Sequence, residues 1–439
     1  MAGVLERLGL HRPALRAWAL YDWANSAFVT VIITAVFPPY FQHVADGSLD
    51  GPVATSRYAW ATTVALAAVA VLAPILGAVA DHAPVKKKLL ATFLGLGVGA
   101  TAALFFVHEG DWVLGLVAFG LANVGVAGSF VFYDALLPHI ASAEEVDRVS
   151  TAGYALGYLG GGVILAGCLA IIQMPEIVGL SDAGAASRVS FLAVAVWWVL
   201  FSIPLFRRVP EPAVRLARPP DRRVLGQALK GLLATLRELR RFRSAFVMMI
   251  AFLVYNDGIQ TIIRMAAIYG AEIGIDRGTL IAAILVVQLV GIPCTFAFGQ
   301  LAAWIGPKRA VLVAVAVYGV IALVGWRMDS AAEFWVLAIL VGLVQGGAQA
   351  LSRSLFASLI PKAKSSELFG LFAVFEKFAG IFGPAVFGLA VSLTGSSRDA
   401  ILSVIAFFVV GGLLLSRVDV EAGRAAARAA DAEALRAER

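Results

Sequence analysis

Cysteine, histidine and charge are all scarce in this sequence, and each scarcity removes a class of protein. Cysteine occurs only at Cys168 and Cys294. Two residues inside apolar runs give neither a disulfide framework nor a thiolate metal site, and small packing residues are expected there. The histidines, His11, His43, His82, His108 and His139, are scattered without ligand spacing, so no metal is expected. No phosphate-binding glycine loop, nucleophile elbow or dinucleotide fingerprint stands in a suitable setting. Neither an enzyme nor a cofactor is therefore expected. Charged residues make up only 15% of the 439 positions, whereas 60% are hydrophobic and the mean hydropathy is +0.86. That balance does not suit a water-soluble globule.

What is present is a series of long apolar stretches. A helix of roughly 20 apolar residues crosses the hydrocarbon of a bilayer, and only helices and closed barrels satisfy their backbone groups there. The stretches lack the two-residue alternation of a barrel, so an all-α membrane protein is expected. Spans are placed near 16–41, 57–80, 88–107, 112–138, 148–172, 188–206, 244–270, 278–303, 309–327, 333–360, 366–393 and 399–416. Basic residues concentrate in one alternate set of loops: Lys86, Lys87 and Lys88, the segment 207–242, Lys308, Arg309, Lys362, Lys364 and both ends of the chain. The opposite loops hold only Arg57, Arg188, Arg277, Arg327 and Arg398. The positive-inside rule then puts both termini in the cytoplasm, and the alanine- and arginine-rich wording points to a bacterial cytoplasmic membrane. The same loops account for the net charge of +6 without a nucleic-acid partner. The expected partners are the bilayer and a small-molecule solute, and the chain is expected to be a monomer.

Segment 207–242 divides the spans into bundles 1–206 and 243–416, with a tail over 417–439. It opens with Pro210, Pro212, Pro219 and Pro220 and continues with Leu225, Leu229, Leu232, Leu236 and Leu239 on one helical face among basic residues. That pattern suits an amphipathic linker on the membrane surface or packed on a bundle. The tail, alanine-rich with both charges, reads as a solvated cytoplasmic helix or a disordered segment.

The halves repeat each other. Gly77 to Lys87 links spans two and three, and Gly299 to Arg309 links spans eight and nine, with glycines and lysines at one offset (308 − 86 = 222). The same offset aligns Gly120 with Gly342 and Asn123 with Gln345. Internal repeats of this kind mark secondary transporters with a site near the midplane.

These loops resemble the G-x-L-A-D-R-x-G-R-K signature of the major facilitator superfamily, with departures at Pro84, Val85 and Lys86. The resemblance implies two six-helix bundles and gives Asp81 a gating role; the second copy has Ala303 in its place. A narrower resemblance, to the autophagy-associated vacuolar effluxer family, rests on Tyr21-Asp22-Trp23-Ala24-Asn25-Ser26, Tyr255-Asn256-Asp257-Gly258 and Gln349-Ala350-Leu351-Ser352-Arg353-Ser354-Leu355. Phe369-Gly370-Leu371-Phe372 and Phe382-Gly383-Pro384 add to it, while Glu376 departs from the small residue expected before Lys377. The family's namesake exports amino acids from the vacuole.

Charges inside spans are costly, about 2.5–3.5 kcal/mol at the bilayer centre, and so mark function or structural pairing. Helical spacing puts Asp22, Asn25 and Ser26 on one face of span one. Asp257, Gln260, Thr261 and Arg264 share a face of span seven, and Gln345, Gln349, Ser352 and Arg353 one of span ten. Asn123, Ser129, Phe130 and Asp134 form a weaker stripe on span four. The superfamily resemblance implies that these four spans surround a central cavity. Asp257 and Asp22 are the proton-coupling candidates; Asn25, Asn123, Asn256, Gln260, Arg264, Gln345, Gln349 and Lys377 are the solute-binding candidates. Asp134, Arg353 and Glu376, with Asp81, are the gating candidates. Each also has a plainer reading: a structural ion pair for Asp257, snorkelling for Arg264, an interfacial position for Asp22, and helix-to-helix hydrogen bonds for the amides. Burial disfavours a carboxylate's charge and a nearby cation favours it, so movement of Arg264 or Lys377 would load and release a proton. The expected activity is proton-coupled secondary transport of an amino acid or short peptide. The alternatives are a sugar, muropeptide or drug permease on the same fold, or a non-transporting membrane sensor.

Overall fold

The computed structural model describes residues 6, 10–82, 85–142, 145–211, 234–361 and 365–437. Among them every regular element is a helix. Helix α1 runs Pro13–Ala27, continues as a wider π turn over Phe28–Ala35 and bends by 42° into Phe37–Ala45. The break falls at Val36, just before Pro38 and Pro39, which have no N–H to give the preceding turn. Next come α2 (Gly51–His82), α3 (Lys86–Ala103), α4 (Trp112–Ile140), α5 (Val146–Gln173) and α6 (Ala183–Arg208). The second half holds α7 (Arg243–Glu272), α8 (Arg277–Ile305), α9 (Pro307–Arg327), α10 (Ala331–Ser358), the two pieces of α11, and α12 (Ser397–Ser416). A further helix, α13 (Val420–Ala437), follows. Among the described residues, eight helices taken singly, and α1 and α8 as bent pairs, are long and apolar enough to cross a bilayer.

Span eleven departs from the continuous helix expected over 366–393. It is two pieces, α11a (Ser365–Phe378) and α11b (Phe382–Thr394), neither long enough to cross alone. Gly380 breaks it, with φ at +96°, a conformation that costs a residue with a Cβ but not glycine. The tail also departs from expectation. Helix α13 is not solvated all round, because Gly423 and Ala427 are buried, Gly423 against Leu359 and Ser244. Most of the linker, 212–233, with its amphipathic pattern, lies outside the described residues.

Tertiary contacts group the chain into two units. The first comprises Met1–Ala228 with Ala267–Leu285, and the second Leu229–Ala266 with Val286–Arg439. The end of α7 and the start of α8 thus group with the first unit. Thr55 donates its hydroxyl to the Glu272 carboxylate. Arg277 donates to Ala183 O and Ser187 Oγ, both at 3.1 Å, and lies 5.5 Å from the Tyr40 ring centre. The core of this unit stacks Phe37 on Phe119 at 4.8 Å and Phe119 on Tyr58 at 4.9 Å. In the second unit Phe372 stacks between Phe252 and Phe356, at 4.5 and 4.7 Å. Apolar residues such as Val64, Val117, Val196, Leu389 and Leu413 are exposed, as hydrocarbon surroundings require and water would not.

A lysine closes each unit at the end of its last span. Lys87 donates to Phe206 O and Val209 O, both at 2.8 Å, where α6 ends. Lys308 donates to Ser416 O at 2.7 Å and Val418 O at 2.8 Å, where α12 ends. The last carbonyls of a helix have no intrahelical donor, and an ammonium also suits the negative end of the helix dipole. The lysines of the repeated loops therefore have a structural task.

Candidate functional site

In the first unit the polar edge of α1 rests on a glycine stripe of α5. Asp22, Ser26 and Thr30 recur every four residues, as do Gly153, Gly157 and Gly161. A Cβ on Gly153 would run into Asp22 Oδ2 and one on Gly161 into Thr30 Oγ1; one on Gly157 would lie 2.6 Å from Ser26 Oγ. Asp22 is half-buried and accepts a hydrogen bond from the Tyr133 hydroxyl at 2.8 Å and a longer one from Asn25 Nδ2 at 3.4 Å. Trp18 stacks on Tyr133 at 4.3 Å and donates its indole N–H to Tyr133 O at 3.0 Å. Asp22 therefore sits among α1, α4 and α5 of its own unit. Sequence reasoning selected Asp134 on α4 and passed over Tyr133 beside it. Adjacent helical residues project about 100° apart, and it is Tyr133 that points inward while Asp134 is exposed. Asn123 is buried and donates to Phe119 O at 2.9 Å, one turn back on its own helix.

In the second unit the polar face of α7 lies on the break in α11. Asp257, 1% exposed, accepts a hydrogen bond at Oδ1 from the Gly380 N–H. The amides of Ile381, Phe382 and Gly383 also lie near enough to act on the same carboxylate. Its Oδ2 has no hydrogen-bond partner among the described residues. The Thr261 hydroxyl donates to Asp257 O at 2.7 Å, and a Cβ on Gly383 would run into Thr261 Oγ1. Gln260 and Arg264, both half-exposed, border Gly380: a Cβ there would lie 3.2 Å from Gln260 Cβ and 3.6 Å from Arg264 Nε. Asn256 is buried, and its Oδ1 has no partner among the described residues. An ion pair for Asp257 was one sequence reading; the contact observed is with backbone amides.

Around α10, Arg353 pairs with Glu376 of α11a at 2.8 Å. Two gating candidates thus meet within one unit, and Glu376 faces α10. Tyr255 and Ser352 share a hydrogen bond at 2.5 Å, so Ser352, counted with the polar face of α10, is buried against α7. Gln345 and Gln349 stay half-exposed on α10. The side chains of Asp81 and Lys377 lie outside the described residues. No group of three or more His, Cys, Asp and Glu suited to a metal occurs among the described residues.

Comparisons with known proteins agree with this architecture. A family model described as vacuole effluxer Atg22 like matches residues 53–428. The uncharacterized MFS-type transporter YxiO of Bacillus subtilis (strain 168) is 35% identical over 408 residues, covering 92% of this chain and 94% of that protein. Autophagy-related protein 22-1 of Phaeosphaeria nodorum is 26% identical over 459 residues, covering 88% and 80%. Among solved structures, the nucleoside transporter NupG superposes with a TM-score of 0.66 at 13% identity, over 93% of this chain and 100% of that one. That likeness concerns the fold. YxiO and NupG are described as transporters and not as enzymes, in line with the expectation that this chain is not an enzyme.

Proposed function

The chain belongs to the Atg22-like vacuole effluxer family of the major facilitator superfamily, and on that premise we propose that it moves a small polar solute, such as an amino acid or short peptide, by proton-coupled alternating access. The observation that carries the coupling is Asp257: a carboxylate buried in a membrane span, with Oδ1 on an amide and Oδ2 without a partner. Such a carboxylate can take a proton on Oδ2 without breaking its bond to the Gly380 amide. Half-exposed Gln260 and Arg264 beside it, and Gln345 and Gln349 on α10, supply donors and a cation for a zwitterion or anion. Asp22, held by Tyr133, is the second proton candidate. Asn25, Asn123 and Asn256 are buried, and their polar atoms serve binding only if the bundle opens around them. Asp81, Asp134, Arg353 and Glu376 remain the gating residues of this reading, and Lys377 its further cation.

The test is uptake into proteoliposomes carrying an inward or outward pH gradient, with labelled amino acids, dipeptides, sugars and nucleosides offered in turn. Gradient-driven accumulation of an amino acid or dipeptide is expected, and Asp257→Asn should lose accumulation while keeping solute exchange. If Asp257→Asn retains full gradient-driven uptake, coupling lies elsewhere. Accumulation of a sugar or nucleoside alone would replace the solute class, and binding without flux would make the protein a sensor. The basic loops support an orientation with both termini in the cytoplasm of a bacterial cell, which C-terminal reporter fusions check.

A further inference from the structure

The first amides of α11b have no acceptor in their own helix, and Ile381 at its start supplies no side-chain cap. Backbone N–H groups at such a start, with the positive end of the helix dipole behind them, form an anion site. Broken helices in transporters use half-helix N-termini to hold anionic groups of the substrate. Here that place is taken by the protein's own carboxylate, reaching across from α7: Asp257 Oδ1 accepts the Gly380 N–H. The other oxygen, Oδ2, is buried and unpartnered among the described residues. Glycine at 380 and 383 lets α7 close directly onto these amides, with Arg264 Nε 3.6 Å from where a Gly380 Cβ would be. Of the other charged residues on these packed helices, Arg243 and Glu272 stand at the ends of α7, Glu333 in the first turn of α10 and Glu367 in the first turn of α11a, whereas Glu376 and Lys377 of α11a and Arg353 of α10 lie nearer the break, and Glu376 is held by Arg353.

We propose that the Gly380–Gly383 amides are a carboxylate-binding cradle, occupied by Asp257 at rest and by the carboxylate of the solute when Asp257 is protonated. This rests on the transport reading above and names the part of the solute that is recognised. Two carboxylates cannot both stay ionised on one set of amides, because each raises the cost of the other's charge. A proton therefore goes onto Asp257, whose Oδ2 is where it is received. The freed amides then donate to the incoming carboxylate, with Arg264 as the adjacent counter-charge. One proton is taken up for each carboxylate bound, and an analogue with an amide in place of the carboxylate gains nothing from the cradle.

The experiment is calorimetric binding to the full-length protein in lipid nanodiscs between pH 5.5 and 8, using alanine, leucine and glycyl-leucine against alaninamide, leucinamide and glycyl-leucinamide, with glucose and uridine as uncharged probes. Repeating each titration in two buffers of different ionisation heat counts the protons taken up. The expected result is that an acid binds at least tenfold more tightly than its amide. Its affinity should weaken by about tenfold per pH unit where Asp257 is ionised, and one proton should be taken up per ligand. In Asp257→Asn, which keeps the side chain's size and an acceptor for Gly380, affinity for the acid should become independent of pH with no proton taken up. Equal binding of acid and amide, a preference for glucose or uridine, no binding by any probe, or a proton count of zero in the wild type overturns the cradle. So does a pH dependence that survives in Asp257→Asn. If the variant does not fold, the wild-type proton count and acid-to-amide ratio decide alone. Flux of an uncharged solute sinks the cradle and leaves transport standing, whereas absence of flux for every solute sinks both.

Discussion

Replacing Lys308 by Met keeps most of the side-chain stem and removes the ammonium that closes α12. The bonds lost are those to Ser416 O and Val418 O, at 2.7 and 2.8 Å. A hydrogen bond to a charged group is worth about 1.5–3 kcal/mol net, and a cation at a helix C-terminus about 0.3–1 kcal/mol. Lys308 is only half-buried, and carbonyls at a helix end can turn to water, so the low end of the range applies to the pair of bonds together. Lys308→Met should therefore cost about 1.5–2 kcal/mol. Lys87→Met should cost a similar amount through Phe206 O and Val209 O. The lysines share no partner, so the double variant should lose the sum, about 3–4 kcal/mol. The assay is reversible unfolding in mixed micelles followed by tryptophan fluorescence, with Lys88→Met, an exposed neighbour, as control. Arginine at either position should recover part of the loss, since a guanidinium still reaches a carbonyl. The reasoning fails if Lys308→Met and Lys87→Met are no more destabilising than Lys88→Met, for the closing bonds would then add nothing beyond hydration.

Gly157→Val should destabilise the first unit by about 1–3 kcal/mol through overpacking, because a Cβ there would sit 2.6 Å from Ser26 Oγ. Gly162→Val, with nothing within 4 Å of its Cβ, should leave the melting temperature unchanged. Arg353→Glu and Glu376→Arg should each impair folding or flux, and the double reversal should restore it if the pair acts as a fixed link within its unit; thermal unfolding and proteoliposome uptake read the two effects. Asp182→Ala should cost about 1 kcal/mol by removing the N-cap of α6, where Asp182 Oδ1 accepts Ala185 N–H at 2.8 Å. The Ser181 hydroxyl, and after it the Ala185 amide, hold Asp182 below the ordinary carboxylate range. Its contribution is therefore complete above the unfolded-state value and disappears as pH falls through the lower folded value. A melting difference between wild type and variant that does not shrink on acidification would contradict this.

The architecture was legible because hydrocarbon solvent imposes two rules at once: spans must be long and apolar, and charges in them must be exceptional. The repeat was legible for the same reason, since its glycines and lysines stand where apolar runs end. Its register was less so. An offset of 222 pairs Lys86 with Lys308, yet Lys87 is the residue that shares the task of Lys308. Lys86 is buried and lies 3.2 Å from His139 Nε2. Two adjacent lysines project in different directions, and sequence spacing alone does not say which one reaches the carbonyls of α6. In the sequence Arg277 is likewise no more than a loop charge. Its hydrogen bonds to Ala183 O and Ser187 Oγ depend on folding that brings residues about 90 positions away beside it.

The polar faces were found by periodicity, but periodicity says only which residues share a side of a helix, not what that side meets. On α1 the side carrying Asp22, Ser26 and Thr30 meets glycines of α5; on α7 the side carrying Asp257 and Thr261 meets the break in α11. In both places a polar residue and a glycine come as a complementary pair from different helices. The glycine removes the Cβ that would otherwise hold the helices apart, and the polar group takes up what that approach exposes. At α5 the exposed element is unbroken backbone, so Ser26 and Thr30 need do no more than pack. At α11 it is a run of amides without acceptors, and only an anion answers them well. That difference separates Asp257 from the other intramembrane polar residues more sharply than its depth in the span. It also gives the sequence a signal that hydropathy hides, a carboxylate on one span facing a Gly-x-x-Gly-Pro interruption on another.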